Sequence, residues 1–234
     1  MKKFAIWIIV ILFSASFVSL VLSHARGEEK EMTYVEMKEP LTTVTDTVAT
    51  VHDTITAVKA HVGYQEIDYP TPKFDRDAVN DVRGVILHHT AEPTVDRSLE
   101  ILTTRVKSVS THVVIDTNGT RYILAKPEKI TYHAGLSILD GRENCNNFTI
   151  GIEFQGNTLV EPLTENQIYS AIEYLKPIIK KYDIPIENIV THEMVRAAYM
   201  KKYPHKKCSG KVDITQKEYI RFMNALKSSL SDSG

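Results

Sequence analysis

GVILHHTAEP, residues 84–93, decides the fold. Val85, Ile86 and Leu87 form an apolar run of the kind that makes a buried strand. Such runs usually stop at a turn residue, yet this one ends in two imidazoles, His88 and His89. Working outward, DRSLEILTTRVKSV (96–109) reads as an amphipathic helix, and HVVIDTNGTRYIL (112–124) as two strands around an Asn118-Gly119 turn. FTIGIEFQ (148–155) is a further strand. TENQ (164–167) fits a capping box that opens a helix with Ile168, Ala171, Ile172, Leu175 and Ile179 on one face and Pro177 as a candidate kink. NIVTH (188–192) is a short strand, and TQKE (215–218) a second capping box before a helix bearing Tyr219, Phe222 and Leu226. Alternating strands and helices predict an α/β domain, a central mixed β-sheet flanked by helices, over residues 80–230.

The region before it is different in kind. Lys2 and Lys3 precede an uncharged apolar run, residues 4–22, and Ser23-His24-Ala25 offers small residues for cleavage. Residues 1–25 therefore read as a signal peptide or as a membrane anchor. Either predicts export, to the periplasm, to the periplasmic face of the inner membrane, or to the outside. Residues 26–40 are charged and aperiodic, a linker. In 41–62, Leu41, Val44, Val48, Val51, Ile55, Val58 and Val62 recur three and four apart, the seam of a heptad helix that would self-associate or pack on the domain. Residues 63–79 carry prolines and read as a second linker.

The bulk numbers narrow the function. The chain has 234 residues, formal net charge -1 and a 24% charged fraction. No basic block stands out, which argues against a nucleic-acid partner. Two cysteines, Cys145 and Cys208, are too few for a disulfide framework, although one bridge is compatible with an oxidising compartment.

Histidines end two predicted strands, His88 after VIL and His192 after NIV, and Cys208 follows in HKKCSG. A strand end suits a metal ligand, because the sheet fixes the backbone while the side chain leaves the apolar layer. Zinc takes imidazole and thiolate together, with three protein ligands and one open position in catalytic sites. Glu153 sits among Ile150, Ile152 and Phe154. It reads either as a residue of an exposed sheet face or as a partly desolvated carboxylate suited to accepting a proton, with Gly151 and Gly156 allowing close approach.

The ordered set ILHHTA (86–91), STHVVIDTNG (110–119), YHAG (132–135), GRENCNNFTIGIEFQG (141–156), IVTH (189–192) and KKC (206–208) resembles the zinc-dependent N-acetylmuramoyl-L-alanine amidases. That family includes peptidoglycan recognition proteins, and this chain is most like its bacterial anhydromuropeptide branch. The resemblance spans about residues 80–228. It implies zinc on His88, His192 and Cys208, with His205 or Asp213 as alternatives to Cys208. It also implies catalytic Glu153, Lys206 (two before the third ligand) on the developing oxyanion, and His133 lining the substrate groove. Thr111 stands where the phage branch has a catalytic tyrosine, which throws more of the mechanism onto Glu153. His89, His112 and Cys145 are read as structural. The implied reaction is hydrolysis of the amide between N-acetylmuramic acid and L-alanine in peptidoglycan or muropeptides. The competing readings are a peptidoglycan-binding module without activity and a secreted lytic or toxin amidase.

Overall fold

The computed structural model describes residues 63–104, 108–206 and 213–231, and the backbone of three strands before them. These are β1 (Trp7–Ser14), β2 (Phe17–Arg26) and β3 (Glu29–Glu36), paired antiparallel in that order. They belong to a unit, residues 1–62, separate from the unit that begins at Gly63. The heptad stretch 41–62 lies outside the described residues. Among the described residues no helix is long and apolar enough to cross a membrane.

The second unit is built on strands β4 (Glu66–Asp68), β6 (Gly84–His89), β7 (Val113–Ile115), β8 (Arg121–Ile123), β12 (Thr149–Phe154) and β13 (Ile189–Thr191). They form one sheet in the order β13-β6-β12-β7-β8-β4. All neighbours are parallel except β7 and β8, which the Asn118-Gly119 turn joins as an antiparallel pair. Gly119 sits at φ +89°, open to glycine alone at little cost, and an added Cβ would strike the Tyr64 ring. The remaining strands are peripheral: β5 (Phe74–Val79) pairs with β9 (Lys129–Thr131), and β10 (Ile138–Leu139) with β11 (Arg142–Glu143).

Residues 63–79 are thus more than a linker, since they supply β4 and β5. Backbone pairing holds these short edge strands, and Arg121 locks the first by bonding the Glu66 and Glu173 carboxylates and the Tyr64 and Ser170 carbonyls. No apolar periodicity announces such a segment.

Side-chain alternation divides the sheet into a structural face and a working face. Val85 and Leu87, Val113 and Ile115, and Ile150, Ile152 and Phe154 join one core with helices α2 (Glu165–Tyr182) and α4 (Gln216–Ser231). Phe154 meets Phe222 edge-on at 6.0 Å between centroids. The opposite face holds Ile86 and Val190 with Ala134, Leu139, Cys145 and Phe148, and it packs against α3 (His192–Lys202). Val114, also on this side, meets Leu99 and Leu102 of α1 (Val95–Thr103). Helices therefore cover both faces, the expected α/β architecture.

The capping box at Thr164 is complete: Thr164 Oγ1 accepts from Gln167 N–H, and the Gln167 side chain accepts from Thr164 N–H. Pro177 is accommodated inside a helix that runs on to Tyr182. The TQKE box is only half made. Thr215 Oγ1 accepts from Glu218 N–H at 3.4 Å, but the Glu218 carboxylate turns away to Leu163 N–H and Arg221. A buried amide and a guanidinium together outbid the helix's own first turn.

Candidate metal centre and cleft

The working face carries its polar residues at the carboxyl ends of the parallel strands, where open α/β sheets bind ligands. In the register of β6 and β12, His88 and Glu153 are direct neighbours. Thr191 pairs with Leu87, so the next residue, His192, arrives beside His88, their rings 5.0 Å apart. Thr191 caps α3 by accepting from Met194 N–H, which fixes where the strand stops and His192 begins.

Asp213 is fully buried and completes the group. Its Oδ2 lies 2.7 Å from His192 Nδ1 and 3.4 Å from His88 Nδ1, and its Oδ1 accepts from His89 N–H. His88, His192 and Asp213 each offer one ligand atom, all within 4.8 Å of one another.

The surrounding hydrogen bonds fix what the imidazoles present. His192 Nε2 is 3.1 Å from the Ala134 carbonyl, which can only accept, so Nε2 carries the proton. On the other side, the Thr149 hydroxyl donates to the Cys145 carbonyl and so accepts from His133 Nε2–H. His133 Nδ1 then accepts from His88 Nε2–H at 3.2 Å. Both Nδ1 atoms accordingly turn lone pairs toward one carboxylate oxygen. A cation, whether a shared proton or a metal ion, satisfies these acceptors, and two imidazoles with a carboxylate are a zinc-type donor set held by outer hydrogen bonds.

Glu153 is 8% exposed, and its Oε2 has no hydrogen-bond partner among the described residues. It belongs to the cleft and not to an exposed sheet face. His133 also lines this cleft; burial first, then the neighbouring His88, His112 and His192, hold its imidazole well below the ordinary range. Gly151 makes that possible, because a Cβ there would lie 2.6 Å from His133 Cγ. His112 is structural: Nε2–H donates to the Lys129 carbonyl and Nδ1 accepts from Gly151 N–H, with burial pushing its pKa down to about 4. His89 Nδ1 accepts from Thr158 N–H. Cys145 is a free, fully buried thiol within the apolar cluster under the site.

The cleft has a volume of about 780 Å³ and is lined by His88, Glu153, His192, His133, Glu92 and Arg196, with Tyr132, Leu136 and Val109 among its apolar walls. Lys206 is not part of this lining; its Nζ lies over the Tyr199 and Tyr203 rings at 5.8 and 5.2 Å. Cys208 lies outside the described residues. Sequence reading did not single out Asn146, whose Oδ1 accepts from both His133 N–H and Ala134 N–H and so holds the YHAG turn over the site. Arg196 was also missed; its place one helical turn beyond His192 is the signal that could have found it.

Comparison with known proteins agrees with this geometry. The family model for N-acetylmuramoyl-L-alanine amidase matches residues 78–211. The chain is 40% identical over 87 residues to the 1,6-anhydro-N-acetylmuramyl-L-alanine amidase AmpD of Haemophilus influenzae, covering 36% of this chain and 46% of that protein. It is 31% identical over 126 residues to the N-acetylmuramoyl-L-alanine amidase AmiD of Escherichia coli, covering 47% of this chain and 45% of AmiD. The chain thus spans less than half the length of either relative. The crystal structure of a Se-Met AmpD derivative shares the fold, with a TM-score of 0.52 at 20% identity over 69% of this chain and 94% of that one. Family match, fold and strand-end histidines converge, and the chain belongs to the N-acetylmuramoyl-L-alanine amidase family.

Proposed function

We propose that this chain is a zinc-dependent amidase that hydrolyses the bond between the lactyl group of N-acetylmuramic acid and L-alanine in peptidoglycan or its fragments. The observation that carries the reading is the convergence of His88 Nδ1, His192 Nδ1 and Asp213 Oδ2 beside the unpartnered carboxylate oxygen of Glu153. The names of the AmpD and AmiD relatives support the substrate class.

Asp213 takes the third ligand position in this reading, in preference to Cys208. The choice moves the lysine as well, because the residue two before Asp213 is Lys211. Bound by these three residues, zinc supplies Lewis acidity, polarising the scissile carbonyl and lowering the pKa of water. Glu153 accepts the proton of the attacking water and returns it to the departing L-alanine amine. Lys211 offers charge to the oxyanion as it develops. His133 and the Ala134 carbonyl hold the two imidazoles in the tautomers the site requires. Export is part of the proposal, supported by Lys2 and Lys3 before the uncharged run 4–22, with action in the periplasm, either free or at the inner membrane.

Zinc content and muropeptide digestion followed by mass spectrometry test the reading together. The expected result is about one zinc per chain and release of stem peptide with a free L-alanine amine. Asp213→Ala should lose the zinc, whereas Cys208→Ser should keep it. Lys211→Ala should slow hydrolysis by about 10²–10³-fold, and Lys206→Ala far less. A chain that binds muropeptide without zinc and without cleavage would be a recognition module, and the amidase reading would fall.

A further inference from the structure

The structure assigns Arg196 as the residue that reads a carboxylate on the stem peptide, one residue beyond the L-alanine; this rests on the amidase reading of the cleft. Six arginines have described side chains in the second unit. Arg83, Arg97, Arg121, Arg142 and Arg221 each pair with a carboxylate. Arg196 makes no hydrogen bond or ion pair with any described residue, and its Nε is buried without a partner. It nevertheless lines the cleft. Glu92 and Glu153 line the same cleft, and neither forms an ion pair with it.

Only the Nε is sealed off; the terminal nitrogens have no acceptor among the described residues, and at the cleft wall a permanently charged guanidinium leaves them to a ligand. The guanidinium fork matches a carboxylate in two parallel bonds, which selects an anion over a neutral amide.

Position gives the distance along the substrate. His192 and Arg196 stand four residues apart on α3, on one face, with Cβ atoms about 5–6 Å apart. With the scissile carbonyl at the metal centre, the L-alanine spans roughly one residue of extended chain, about 3.3–3.6 Å. The next residue then comes abreast of Arg196. The muramyl acyl group has its own carboxyl tied up in the scissile amide, so any free carboxylate within reach belongs to the peptide. An acidic second residue joined onward through its side chain keeps its main-chain carboxylate free, and that is the group Arg196 fits.

The test compares N-acetylmuramoyl-L-alanyl-D-glutamate with the same compound bearing D-isoglutamine, where an amide replaces that carboxylate. The zinc-loaded full chain should prefer the acid by about 10-fold or more in kcat/KM, mostly through KM. Arg196→Gln should bring the ratio close to one, and Arg196→Lys should keep part of it. Calorimetric binding of both compounds to the Glu153→Gln chain reads the same preference without turnover. It thereby separates a failure of the amidase reading, in which neither compound is cleaved, from a failure of this one. Equal affinity for acid and amide, or an Arg196→Gln chain weakened toward both with its ratio unchanged, would overturn the assignment.

Discussion

At the scale of single residues, the site depends on a side chain that is absent. Gly151 lets His133 lie against the sheet, and His133 in turn fixes the tautomer of His88. Gly151→Ala should therefore cost about 1–3 kcal/mol by overpacking and should lower zinc affinity in the same variant. Isothermal titration with zinc, set beside a urea melt, checks both, and an unchanged zinc affinity would break the link. His112 predicts a pH dependence. Its folded pKa is held down at about 4 by burial, against an ordinary value of 6.5. The unfolded chain takes up this proton as pH drops below about 6.5 and the folded chain only near 4, so stability is fully present above that window and is lost within it. The loss amounts to about 3 kcal/mol. Urea denaturation at pH 7 and pH 4.5 should show the fall, and His112→Asn should flatten part of the slope.

At the scale of elements, the two capping sequences look alike and behave differently. Thr164 has a complete reciprocal box and also donates to the Thr117 carbonyl. Thr215 accepts one long bond. Thr164→Ala should cost about 1–2 kcal/mol and Thr215→Ala clearly less, as read from shifts in the urea midpoint. The reason explains what could be read in advance. Patterns that rest on one segment's periodicity, such as VILHH, TIGIEF and the face of α2, were legible because burial alone dictates them. The Glu218 side chain was not, because its partners, Leu163 N–H and Arg221, include one 55 residues away in sequence. β4 and β5 were hidden for a related reason: edge pairing through backbone and the Arg121 network leaves no mark in apolar spacing.

At the scale of the whole molecule, the site is assembled from three strand ends and one return of the chain. The strands bring His88, Glu153 and His192; each ends or interrupts an apolar run, a weak signal by itself, and the ordered set of motifs was what singled them out. Asp213 comes from a loop, where spacing predicts poorly, and sequence reading placed it behind Cys208 for want of any local signal. Ligands drawn from such distant segments tie them together, so metal should act as a cross-brace. Zinc at 100 times its dissociation constant adds about 2.7 kcal/mol, which corresponds to roughly 5–10 °C in Tm for a domain of this size. Thermal melts with and without chelator would show the difference, and identical melts would mean that no structural metal is held.

The thiol of Cys145 offers a clock for this assembly. It is fully buried beneath the face that carries His192, and burial also raises its pKa, so a thiol reagent meets neither an exposed sulfur nor a ready thiolate. In a Cys208→Ser chain it is the single cysteine. Its labelling rate then reports how often this half of the domain opens, and the factor by which zinc slows that rate measures how firmly the metal keeps it closed.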